Sequence, residues 1–119
     1  MAVYVDGFVI PVPKKNIGEY MKISRRAGKV WKDLGALEYR ECVGDDLGFK
    51  FGLPFTKLAK TKPNETVVFS WIVYKSKAHR DRVNAQVMKD PRMEKMMKMT
   101  MPFDMKRMTY GGFKCRVDL

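Results

Sequence analysis

TVVFSWIVY, from Thr66 to Tyr74, is an almost unbroken apolar run. A strand with one wet face alternates apolar and polar residues, so a run of this kind is expected of a central strand covered on both faces. Its neighbour in the sheet is expected near the N-terminus. There, Val3 to Val12 reads VYVDGFVIPV and places Tyr4, Asp6, Phe8 and Ile10 on one face and Val3, Val5, Gly7 and Val9 on the other. The small aliphatic face suits close packing by helices. The bulky face, with Asp6 as a lone carboxylate, is then the side turned away from them.

Between these runs, Ile17, Tyr20, Met21, Ala27, Val30, Trp31 and Leu34 recur at helical spacing, which predicts a helix from about Lys14 to Leu34 with Gly35 as its stop. Ala36 to Val43 reads as another strand, ending in the turn cluster Gly44-Asp45-Asp46. Leu47 to Asn64 carries Gly48, Gly52, Pro54 and Pro63 and is irregular, with a short helical turn near Thr56 to Lys60. After the central strand, Ser76 caps a helix running to about Lys89 that turns Val83 and Val87 inward. Asp90-Pro91 starts a further short helix, and beyond Pro102 the last strand spans Lys106 to Val117, interrupted by Gly111-Gly112.

The order is β-α-β-β-α-β. Two helices long enough for crossovers predict an α+β, ferredoxin-like domain over residues 1–119: a four-stranded antiparallel sheet with both helices on one face. The other face would carry Tyr4, Phe8 and their neighbours, an apolar patch that a two-fold, sheet-to-sheet dimer would cover.

The 119 residues carry 24 Lys and Arg against 13 Asp and Glu, a net charge of +11, which favours anionic company. Lys22, Arg25, Arg26, Lys29 and Lys32 form a stripe along the first helix, read as its solvated face, with RNA or another polyanion as the alternative. No apolar run reaches the roughly 20 residues of a membrane span, and no signal-type segment opens the chain, so a cytoplasmic location is expected. Cys42 and Cys115 stand apart without CxxC or Cys/His clusters, which argues against zinc and disulfides. The glycine fingerprints of nucleotide and flavin sites are absent, and no cofactor or metal is expected.

YVDGFVIPVP (Tyr4 to Pro13), GALEYRECVGDD (Gly35 to Asp46), ETVVFSWIVYKSKAHRDRVNAQVMKDPRM (Glu65 to Met93) and MPFDMKRMTYGGF (Met101 to Phe113) together resemble the bacterial YbaA-like family of uncharacterised proteins. The Leu47 to Leu58 loop and the methionine-rich stretch after Met93 depart from that family's pattern. The resemblance implies the dimeric α/β-barrel superfamily, in which two ferredoxin-like protomers pack sheet to sheet. That superfamily holds cofactor-independent monooxygenases, haem-degrading enzymes, lactone isomerases, dechlorinating enzymes and ligand-sensing domains, and fold analogy does not choose among them.

The candidate chemical groups are few. Asp6 is a base or an anchor, depending on what it meets on its strand face. Ser70 and Trp71 occupy opposite faces of the central strand; one or the other joins Phe8 in lining a ligand cavity on the Asp6 face. His79 is the only histidine, and Tyr110, beside two glycines, is a proton donor or a cover for them. Haem-degrading relatives combine a first-strand Asn with a strand Trp and a helical His; here Asp6 stands in place of the Asn, and Trp71 and His79 are only eight residues apart. Arg80 and Asn84 lie one turn apart and can hold an anion or join an ion-pair lattice with Asp81, and Arg107 is a further basic contact. Eight of ten methionines fall between Met88 and Met108, suited to Cu(I) or to adaptable packing, with packing preferred. Asn64-Glu65-Thr66 matches a glycosylation acceptor, incidental in a cytoplasmic chain. These residues point to a homodimer that binds a small organic ligand, with monooxygenase- or isomerase-like turnover one outcome and RNA or polyanion binding the alternative.

Overall fold

A computed structural model describes residues 3–119. The chain runs β1 (Tyr4–Pro13), a 3-10 turn (Lys14–Asn16), α1 (Ile17–Asp33), β2 (Glu38–Val43), α2 (Phe55–Leu58), β3 (Glu65–Tyr74), α3 (Lys77–Lys89), α4 (Pro91–Met97), a second 3-10 turn (Met105–Arg107) and β4 (Thr109–Lys114). The four strands form one antiparallel sheet in the order β2-β3-β1-β4. The two long strands are central, and the fold is the expected ferredoxin-like α+β arrangement.

Local chemistry sets the ends of the elements. Gly35 takes a positive φ of +118°, a conformation that costs a side-chain-bearing residue energy, and the turn it makes lets Ala36 N–H bond the carbonyl of Trp31 at 3.0 Å. Ser76 accepts the His79 amide at 3.1 Å and caps α3. Asp90 then ends α3 and starts α4, accepting the Arg92 amide at 2.8 Å with Pro91 in the first turn. β4 starts later than the predicted Lys106 because Asp104 caps a 3-10 turn there, accepting the Lys106 amide at 3.0 Å, and it ends at Lys114 instead of Val117.

The strand faces correct the sequence reading. Tyr4, Asp6, Phe8, Ile10 and Val12 face the layer formed by α1, α3 and α4: Ile10 and Val12 pack with Tyr20 and Val68, and Phe8 lies against the cluster of Val30, Ile72, Tyr74, Val83, Val87, Met93 and Met96. The gap between a sheet and a helix layer needs bulk to fill it. Fully burying one such apolar side chain contributes roughly 1.5–3 kcal/mol, so the larger set wins the inner face. Asp6 is admitted because Arg80 reaches it from α3. The opposite face therefore shows the smaller β1 residues, with Gly7 beneath the Phe113 ring and with Phe69 and Trp71 side by side, ring centroids 5.5 Å apart. It is also not bare. The short α2 lies on it, Phe55 against Phe69 at 5.9 Å.

In α1, Tyr20, Ser24, Gly28 and Val30 are buried, while Lys22, Arg25, Arg26, Lys29 and Lys32 are exposed. The basic stripe is the outer face of this helix. Among the described residues, no helix is long and apolar enough to cross a membrane.

Candidate functional site

Between the helix face of the sheet and the helical layer lies a cavity of about 350 Å³. Phe8, Ile10, Ser70 and Ile72 form its floor and Ile23, Ala27 and Trp31 of α1 one wall. Seven methionines (88, 93, 96, 97, 101, 105 and 108) supply most of the rest, together with Pro102 and Phe103. Thioether chains are unbranched and polarizable, so such a wall adjusts to the shape of what it holds. The volume falls in the range of about 300–1,000 Å³ usual for small-molecule sites.

Polar groups are concentrated at one end. Glu41 on β2 accepts a hydrogen bond from Tyr20 of α1 at 2.8 Å on Oε1 and from Tyr39 at 2.7 Å on Oε2. The Ser24 hydroxyl stands beside both phenols. Burial, reinforced by the Glu41 carboxylate, pushes both phenols well above their ordinary range, so they stay protonated and keep donating. Gly28 makes the arrangement fit: a Cβ there would sit 2.6 Å from the Tyr39 ring. On the strand next to Glu41, Ser70 is its direct cross-strand partner, and Phe8 is the next in that row. Ser70 is 4% exposed, and while its backbone belongs to the sheet ladder, its hydroxyl bonds no other group of the described residues. No described side-chain polar atom is sealed away without a partner, so this hydroxyl opens into the cavity.

Ser70, and not Trp71, shares the helix-side face with Asp6. Trp71 borders the cavity, but its ring stands with Phe69 on the other side of the sheet. Phe8 lines the cavity, and Tyr110, its partner on β4, stacks on it at 5.6 Å.

Asp6 lies outside the cavity lining, in a polar knot beneath α3. Arg80 donates to it from Nη1 at 2.8 Å, donates from Nε to Asp81 at 2.8 Å, and covers the Tyr4 ring at 4.9 Å. Burial raises the Asp6 carboxyl above its ordinary value, against the opposing pull of Arg80 and the nearby Asn84 and Tyr74. Asn84 Oδ1 accepts from Trp31 at 3.0 Å and from Tyr74 at 3.2 Å, joining the knot to the cavity wall. The sequence reading that turned Asp6 into a barrel-facing cavity is thus corrected, and Arg80, held by two carboxylates, belongs to the ion-pair lattice.

His79 caps the turn after β3. Its Nδ1 accepts the Lys75 amide at 3.0 Å and its ring meets Tyr74 edge-on. Arg107 is remote from Asp6 and binds Glu65 and Asp104, tying the 101–108 segment to the start of β3. Sequence reasoning missed Glu41, Tyr39 and Tyr20. The signal was present in Tyr39 and Glu41, two residues apart on one strand face, but Tyr20 read only as an apolar helix position.

The chain is thus a ferredoxin-like α+β domain with an apolar, methionine-lined cleft between its sheet and its helices and one carboxylate at the polar end of that cleft. The chain belongs to the family described as proteins of unknown function (DUF1428), whose model matches residues 3–105. It is 44% identical over 115 residues to the uncharacterized protein YbaA of Escherichia coli strain K12, and equally to that of Shigella flexneri, covering 97% of both chains in each case. Solved structures share the fold at low identity. "Putative antibiotic biosynthesis monooxygenase from Nitrosomonas europaea" aligns with TM-score 0.60 and 10% identity over 96% of this chain and 90% of that one. A nipsnap family protein with unknown function from Agrobacterium tumefaciens gives 0.61 and 15% over 98% and 91%. An uncharacterized NIPSNAP domain protein from Burkholderia xenovorans gives 0.59 and 14% over 92% and 91%. At these identities the likeness is one of fold.

Proposed function

We propose that this protein binds a compact, mostly apolar organic molecule in the cavity between its sheet and its helices. The observation that carries the reading is the pairing of an adaptable apolar chamber with a single polar end built from Glu41, Tyr20, Tyr39 and Ser70. Small-molecule sites have this composition, since apolar walls supply affinity and a few placed polar groups supply orientation. Turnover, where it occurs, is of the monooxygenase or isomerase kind that needs no bound cofactor, with the polar end holding the reacting group. The likeness in fold to a structure carrying a monooxygenase name supports that direction.

The partner we propose for the open face is a second copy of the chain. Phe69 and Phe113 are exposed there, beside Trp71, on a sheet whose other side is already covered by helices. Both readings meet one experiment, native mass spectrometry of cytoplasmic protein purified without denaturation. We expect a dimer carrying one small molecule per chain, released on unfolding. A ligand-free protein that also takes up no apolar probe would overturn the cavity reading, and a stable monomer would overturn the dimer. RNA retained in a salt-sensitive manner would instead favour the polyanion alternative.

A further inference from the structure

The polar end of the cavity also specifies what the ligand presents to it; this inference rests on the cavity reading above. Glu41 is the only acidic residue among those lining the chamber. A carboxylate has about four lone-pair positions, and the two phenols occupy one on each oxygen, so each oxygen has capacity for another donor. No described Lys or Arg lies within ion-pair distance of it, in contrast to Asp6, Asp90 and Glu65, each of which has an arginine. Directly across the strand pair, Ser70 offers an unused hydroxyl into the same space. Cross-strand neighbours stand with Cβ atoms about 4.5–5.5 Å apart, close enough for one ligand oxygen to meet both groups.

We infer that the ligand carries a neutral hydroxyl on a compact apolar skeleton: its O–H donates to Glu41, and Ser70 donates to the same oxygen. Charge argues for a neutral group. An anion would face the Glu41 carboxylate across an otherwise mostly apolar lining, and Arg40, the one basic residue that borders the cavity among the described residues, is exposed and ion-paired with Glu38. A cation would approach a group whose outer side adjoins a groove lined by Arg25, Lys29 and Lys32. The phenols complete the arrangement: held protonated, they spend their O–H groups on Glu41, which is the one charged acceptor at this end among the described lining residues.

The test is calorimetric titration of the whole protein with four probes of one skeleton: 2-naphthol, naphthalene, 2-naphthoate and 2-(aminomethyl)naphthalene. A hydrogen bond to a charged acceptor predicts that 2-naphthol binds about ten- to a hundredfold more tightly than naphthalene, with both charged probes weaker than 2-naphthol. Glu41→Gln should remove most of that advantage, read as the ratio of 2-naphthol to naphthalene affinity within each variant, and Ser70→Ala should remove a smaller part. The wild-type series and Ser70→Ala decide the matter if Glu41→Gln does not fold. Equal affinity for 2-naphthol and naphthalene, or tightest binding of either charged probe, overturns the hydroxyl assignment while the cavity reading stands. Failure of all four probes, naphthalene included, overturns the cavity reading itself.

Discussion

Replacing Asp6 by Ala tests the orientation on which the whole arrangement depends. The Asp6 side chain is 6% exposed and that of Arg80 18%, with 2.8 Å between them. Removing one member of a buried pair typically costs about 3–5 kcal/mol, because the other charge loses its partner but not its burial. Arg80 keeps Asp81, a 60% exposed carboxylate, and the face of Tyr4, so the expectation is about 3 kcal/mol, the low end. Exchanging both residues, Asp6→Leu with Arg80→Met, leaves no orphaned charge and should cost less than Asp6→Ala alone. The coupling between the two sites should exceed 1 kcal/mol, as for residues in direct contact. Urea unfolding followed by circular dichroism at neutral pH measures Asp6→Ala and the four corners of the cycle, which are wild type, Asp6→Leu, Arg80→Met and the double variant. A loss below 1 kcal/mol for Asp6→Ala, or strict additivity, would refute the argument. It would place Asp6 on the open face, where its charge would be solvated and its removal nearly neutral.

Two titrations probe other parts of the frame. Hydrogen bonds from Arg107, opposed by burial, hold the Glu65 carboxyl down at about 2 against an ordinary value near 4.5. A group depressed in the folded state stabilises the fold above its unfolded value and loses that contribution as pH falls toward the folded one, so stability should decline from about pH 4.5 toward pH 2. Arg107→Met should remove most of this acid-dependent component in urea unfolding curves, leaving the part due to the Lys62 amide, and an unchanged acid profile would sink the assignment. Burial first, then the Lys75 and Arg82 charges, lower the His79 imidazole below its ordinary 6.5. Folding thus favours neutral His79, and this contribution fades as pH drops from 6.5 toward the folded value. Nuclear magnetic resonance of this single histidine should give a midpoint below 6.5, whereas one at or above it would contradict the Lys75 amide contact.

Much of the frame was legible before any tertiary information. The unbroken run at Thr66–Tyr74, the Gly35 stop, the Ser76 cap and the Asp90-Pro91 junction each express local backbone chemistry, and local chemistry is written in neighbouring residues. Element order then restricted the topology, because two helical crossovers in a β-α-β-β-α-β chain leave few ways to close a sheet. The Leu47 to Asn64 segment yielded less. Its helical turn forms at Phe55–Leu58 and docks through Phe55 on the open face, a contact that no local periodicity announces.

The face each strand turns to the helices was decided by tertiary structure alone. Alternation sorts β1 into two sets of side chains, but it is symmetric to exchange of inside and outside. What breaks the symmetry is the volume to be filled under α1, α3 and α4, and the arrival of Arg80 from 74 residues away to receive Asp6. The candidate site follows the same rule. Tyr20 and Glu41 are 21 positions apart and belong to different elements; they become a hydrogen-bonded pair only when α1 lies across β2, with Gly28 admitting the Tyr39 ring between them. The sequence by itself determined the elements, their order and the residues able to do chemistry. Which of those residues meet, and around what space, is a matter of long-range packing, whose energy depends on pairs that the linear chain holds apart.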